Sequence, residues 1–87
     1  MRETKYNVRM TSQFRKYYKQ AMKRGLKISL LDEVIVKLST GEELSEKYKD
    51  HALIGNWLGH RECHILPDWL LIYRIEKDIL VLTLSRT

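Results

Sequence analysis

Three histidines, His51, His60 and His64, crowd one stretch of an 87-residue chain, with Glu62 and Asp68 flanking the last of them and the lone cysteine, Cys63, beside it. Imidazole titrates near neutrality, so such a grouping can supply both a general base and a general acid. Alternate side chains of a strand share a face, which puts Glu62 and His64 together, and the turn at Pro67-Asp68 returns Asp68 and Trp69 towards His64. If the segment around His51 folds over that face, two imidazoles and one or two carboxylates converge beside an indole ring. The same parity separates Cys63 from His64 and argues against a shared ion or a Cys-His nucleophile. No metal and no cofactor are therefore expected, and Cys63 reads as a small core residue. Set against this chemistry is the plain reading that histidines in a small domain are often surface or packing residues.

RNA cleavage suits this inventory without a metal. When a ribose 2′-hydroxyl attacks its own phosphate, one proton is removed, negative charge on the phosphoryl oxygens is stabilised, and the leaving 5′-oxygen is protonated. Histidine or carboxylate can do the first and last, Lys or Arg the second. Trp57, Trp69 and Tyr73 are possible platforms for a splayed base. Tyr73 belongs to an apolar run and reads as core, which leaves Trp69 at its strand edge as the better candidate.

The elements that must position these groups can be read from periodicity. Tyr6-Asn7-Val8-Arg9-Met10 alternates as a strand with one buried face. Thr11 or Ser12 can cap a helix with an apolar stripe of Phe14, Tyr17, Tyr18, Ala21 and Met22, stopped at Gly25. A second helix is expected from Ser29, with Ser29 and Asp32 spaced as a capping box, to Gly41. Residues 42–56 lack a clean period and read as a surface connection. Strands follow at Trp57-Leu58 with Arg61 to Ile65, at Trp69 to Ile75, and at Ile79 to Leu84, the middle one apolar enough to be central. The order β-α-α-β-β-β predicts an α+β fold, a helical hairpin packed on a mainly antiparallel four-stranded sheet, with residues 1–87 as one domain.

Composition narrows the setting. With 44% hydrophobic and 31% charged residues the chain is too apolar for disorder, and no run approaches a membrane span or a signal peptide, so a cytoplasmic protein without a membrane partner is expected. One cysteine leaves no internal disulfide. Charge is uneven: residues 1–27 hold nine bases against Glu3, whereas the rest hold seven bases and ten acids. Arg15, Lys16, Lys19 and Lys23 fall on the solvent side of the first helix. That face suits phosphates or an acidic protein partner, or serves only solubility.

Longer strings are more specific. Tyr48-Lys49-Asp50-His51-Ala52-Leu53-Ile54-Gly55-Asn56-Trp57, then Gly59-His60-Arg61-Glu62-Cys63-His64-Ile65-Leu66-Pro67-Asp68-Trp69, and a closing Arg86-Thr87, resemble the YafQ branch of the RelE/ParE toxin superfamily. The resemblance covers nearly the whole chain and implies a RelE-like fold. It also implies a toxin of a type II toxin–antitoxin pair: a ribosome-dependent endoribonuclease that cuts mRNA, with the ribosome's RNA and a cognate antitoxin as partners. Carried over by position, His51, His64 and Asp68 match catalytic residues, His64 and Asp68 sharing proton transfer; Glu62 matches an acidic site residue, Trp69 an aromatic one and Arg86 a phosphate contact. In that family the Arg-Thr pair is followed by Gly, Ser or Thr, and a further catalytic histidine, so this chain is expected to be a truncated form of low activity. The alternatives are a ParE-like toxin acting on gyrase and a non-catalytic module binding RNA or antitoxin.

Overall fold

The computed structural model describes residues 4–86; Arg2 and Glu3 of the charged N-terminal tract and Thr87 of the closing Arg-Thr pair lie outside them. In chain order come β1 (Asn7–Met10), α1 (Ser12–Lys23), α2 (Ile28–Ser39), β2 (His51–Ala52), β3 (Arg61–Leu66), β4 (Trp69–Glu76) and β5 (Ile79–Arg86). The α+β class and the element order follow the sequence expectation. The sheet, ordered β1-β5-β4-β3-β2, has five strands rather than four, because His51 and Ala52 pair with Glu62 and Arg61. A two-residue strand is too short to leave a period in the sequence. All pairs are antiparallel except β1 with β5, which the two intervening helices allow to run parallel.

Local chemistry accounts for most element boundaries. Thr11 caps α1, its Oγ1 accepting the Phe14 N–H at 3.1 Å, and Gly25 ends the helix at φ +75. The capping box expected at Ser29 and Asp32 does not form: α2 starts at Ile28, Lys27 supplies no side-chain cap, and the Asp32 carboxylate accepts the Tyr18 hydroxyl of α1 at 3.2 Å. Burial, followed by the Asp32 charge and hydrogen bond, raises the pKa of that hydroxyl. β1 is not half-buried as its alternation suggested; it is an edge strand with all four residues exposed. Trp57 and Leu58 do not extend a strand, since Gly55–Trp57 forms a 3-10 turn. A second 3-10 turn, Glu46–Tyr48, leads into the His51 segment.

One apolar cluster joins the helices to the sheet. Phe14 and Ala21 of α1 and Leu31, Val34 and Leu38 of α2 pack with Cys63, Ile65, Leu71, Tyr73, Leu80 and Leu82. These strand residues share one face, so the helices cover one side of the sheet. β4 is the central strand, as its apolar run predicted.

Parity changes once in β5, and the change matters for the site. Tyr73 pairs with Leu82 but Ile72 pairs with Leu84, so Thr83 is an extra residue in a β-bulge. The Thr11 hydroxyl sits at 2.7 Å from the Thr83 carbonyl and 3.1 Å from that of Leu82, supplying the bulge with a donor the ladder does not. Beyond the bulge, Ser85 turns towards the helices and Arg86 towards the open face.

Candidate active site

On the open face of the sheet, His51, Glu62 and His64 converge from β2 and β3. Glu62 sits across from His51 in the ladder, and His64 lies two residues further along the same face. The two imidazole centroids are 6.3 Å apart. Glu62 is 7% exposed, and its Oε2 accepts the Arg86 guanidinium at 2.9 Å while Oε1 lies 3.5 Å from His51 Nε2. A buried carboxylate without a partner would be costly; here it is balanced by a cation that is itself half exposed.

The rings are oriented by the backbone. His51 Nδ1 lies 2.8 Å from the Lys49 carbonyl and His64 Nδ1 3.3 Å from that of Pro67. A carbonyl only accepts, so Nδ1–H donates in both rings, which turns His51 Nε2 towards Glu62 and leaves His64 Nε2 for chemistry. Lys49 adopts φ 48, in the left-handed region a non-glycine residue seldom takes. That turn sends Asp50 and His51 to different partners.

Asp50 is the residue that sequence reasoning passed over. Its Oδ1 accepts Arg61 Nε at 2.6 Å and its Oδ2 accepts the Tyr73 hydroxyl. The segment bearing His51 is thereby fastened to β3 and β4. The hydrogen bond that Arg61 donates to Asp50 is the chief reason its guanidinium is held above its usual pKa. Burial first, and then the bond to Asp50, push the Tyr73 hydroxyl well above the ordinary tyrosine range. The signal lay in the adjacency Asp50-His51 with Arg61 facing Tyr73 in the ladder, which only strand pairing makes meaningful.

Other expected site residues fall elsewhere. Trp69 is 1% exposed in the helix-side core, its Nε1–H donating to Ser85 Oγ at 3.0 Å, so its ring offers no stacking surface. This corrects the reading of Trp69 as an RNA platform: it shares parity with Leu71 and Tyr73, which face the helices. Asp68 is exposed in the β3–β4 turn and stands outside the converging trio. His60 also stands apart, edge-on to Trp57 at 5.2 Å. Arg15, Lys16, Lys19 and Lys23 are all exposed along α1. Cys63 is fully buried, and its thiol is pushed from 9.0 up to about 12, by burial first and then by the charges of Asp50 and Glu62. It is no nucleophile at neutral pH.

The trio also bears on metals. Ligand atoms of His51, Glu62 and His64 lie within 4.8 Å of one another, a donor set that suits copper or zinc. The parity that separates Cys63 from His64 does not touch this trio, which a cross-strand pair and an alternate residue create. An incoming cation would compete with Arg86 for Glu62.

A profile of the family described as "Bacterial toxin of type II toxin-antitoxin system, YafQ" matches residues 6–87. The chain belongs to the YafQ toxin family. Among YafQ relatives, the mRNA interferase toxin YafQ of Escherichia coli K12 is 35% identical over 75 residues, covering 85% of this chain and 82% of that protein. The YafQ fold is reproduced closely: the E. coli DinJ-YafQ toxin-antitoxin complex superposes with a TM-score of 0.88 at 32% identity, covering 95% of this chain and 92% of that one. A copper-bound mutant toxin from Helicobacter pylori superposes at 0.91 with 35% identity over 94% and 93%.

Proposed function

We propose that this YafQ-family toxin is a ribosome-dependent endoribonuclease that cleaves mRNA by 2′-hydroxyl attack, with residues 1–87 acting as one toxin domain. The observation that carries the reading is the convergence of His51 and His64 on the Arg86-paired Glu62, on a sheet face the helices leave open. One imidazole takes the 2′-hydroxyl proton through Nε2 and the other protonates the 5′-oxygen as it leaves. The Arg86 guanidinium has five donors and places one on Glu62; others stabilise the phosphoryl oxygens. Glu62 holds His51 and Arg86 in register with one another, and Asp68, exposed in the turn beyond Pro67, is assigned a share in the proton transfer of His64. The copper-bound relative comes to this chain as a capacity of the trio to take up such a cation, and every step above is carried by side chains.

The partners follow from the same reading. The cognate partner is an antitoxin, as in the DinJ-YafQ complex, and the substrate is mRNA on the ribosome. The exposed bases Arg15, Lys16, Lys19 and Lys23 give α1 a surface for ribosomal RNA. Action on translating ribosomes places the protein in the cytoplasm; among the described residues no helix is long and apolar enough to cross a membrane.

The test is cleavage of mRNA on programmed ribosomes in EDTA, with free RNA as control and with this chain extended by a Gly-Ser-His tail in parallel. His64→Ala should lower the rate about 10²- to 10⁴-fold while ribosome binding persists. Products ending in 2′,3′-cyclic phosphate support the mechanism. Absence of cleavage by both folded proteins would overturn it in favour of a gyrase-directed or purely antitoxin-binding role.

A further inference from the structure

The functional reading leaves a second feature unused. Beside the trio lies a cavity of about 460 Å³ between α2, the Glu46–Tyr48 turn and the end of β3. That volume is within the roughly 300–1,000 Å³ of small-molecule sites. Its walls are mainly apolar, from Leu30, Tyr48, Ile65 and Leu66, while Lys47, Lys49 and Glu33 bring charge to it. His64 belongs both to this cavity and to the converging trio, so one side chain borders both.

We infer that this cavity is a base-reading subsite, taking the nucleobase next to the cleaved phosphate and favouring a base with an exocyclic amino group. The inference rests on the nuclease reading. Three observations favour a nucleotide. First, a planar heterocycle matches a mostly apolar slot, and the burial of Trp69 removes the stacking platform that would otherwise hold a splayed base. Second, Lys47 and Lys49 supply positive charge where the RNA backbone would enter, and Lys47 is steadied by its Nζ lying 5.0 Å over the Tyr48 ring. Third, the Glu33 carboxylate is an acceptor without a donor hydrogen. It can bond the amino group of adenine, cytosine or guanine, and it meets only carbonyl oxygens on the exocyclic positions of uracil. The left-handed turn at Lys49 fixes this wall to the His51 segment, so base and phosphate would be registered by one piece of chain.

The experiment is an NMR titration of this chain with AMP, UMP and ribose 5-phosphate, repeated with Leu30→Trp, which fills the slot, and Glu33→Lys at the exposed α2 surface. AMP should shift the Leu30 and Leu66 amides and bind about tenfold more tightly than UMP, the effect of one charge-assisted hydrogen bond. Ribose 5-phosphate should perturb only the Lys47 and Lys49 region. Leu30→Trp should abolish the AMP response, and Glu33→Lys should bring AMP and UMP together. Equal binding of AMP and ribose 5-phosphate, or AMP binding indifferent to Leu30→Trp, overturns the inference. So does an acidic peptide that shifts these amides where AMP does not, which would make the slot an antitoxin dock. The titration needs no cleavage, so its failure is separable from failure of the nuclease: ribosomal cutting with base preference unchanged in Glu33→Lys sinks the subsite alone.

Discussion

On the helix side of the sheet, Cys63, Leu71, Tyr73 and Leu80 are buried in one apolar cluster, and Trp69 Nε1 there donates to Ser85 Oγ. On the other side the same strands carry His51, Glu62, His64 and Arg86, where a buried carboxylate is shared between a guanidinium and an imidazole and two Nε2 atoms are left unengaged by the backbone. Neighbouring residues thus meet opposite environments: Cys63 is sealed between Glu62 and His64 in sequence but points away from both. Period-two geometry lets a small domain build a dense core and a polar site from one set of strands, with little side-chain contact between them.

Substitution can break this comparison if it is wrong. The largest expected effect on stability is Trp69→Ala, at about 3–5 kcal/mol by chemical denaturation, since an indole leaves a packed interior. His64→Ala should leave the denaturation midpoint nearly in place while removing the cleavage described above. If His64→Ala unfolds the chain as Trp69→Ala does, the open face is structural.

The network between the two faces is sharpened by Asp50. Asp50→Ala strands Arg61 and Tyr73 and is expected to cost about 1–3 kcal/mol and to lower cleavage as His51 loses its anchor. Tyr73→Phe keeps the bond between Arg61 and Asp50 and should cost only about 1 kcal/mol. Equal losses from the two would show that Asp50 acts mainly through Tyr73.

The last comparison concerns pH. In the fold the Cys63 thiol keeps its proton up to about 12, whereas the unfolded thiol loses it near 9.0. The unfolded chain therefore binds fewer protons over that window, and stability, undiminished below about 9, falls as pH rises through it. Tyr73, with its pKa also raised, acts in the same direction. Cys63→Ala should flatten the decline measured by urea midpoints from pH 8 to 11, and the native thiol should resist alkylation at neutral pH.

A good deal of this could be read from residue order. The helix caps at Thr11 and Gly25, the apolar run of β4, and the shared face of Glu62 and His64 rest on local geometry that sequence displays directly. The parity of Trp69 with Leu71 and Tyr73 was visible, although its place at the strand edge suggested exposure. Its acceptor was not visible, because Ser85 turns inward only after the bulge at Thr83, and Thr11, 72 positions away, supplies the hydroxyl at that carbonyl.

What the sequence by itself determined is the order of elements, the family strings and the supply of imidazoles, carboxylates and cations, since each depends on residue types at short spacing. Tertiary structure decided which of them meet. Arg86 reaches Glu62 because a bulge reverses β5's parity, and His51 faces Glu62 because Asp50 is fastened across the sheet to Arg61 and Tyr73. Trp69, close to His64 in sequence, turns into the core instead. Hydrogen bonds and burial between distant segments set these outcomes, and no local period records them.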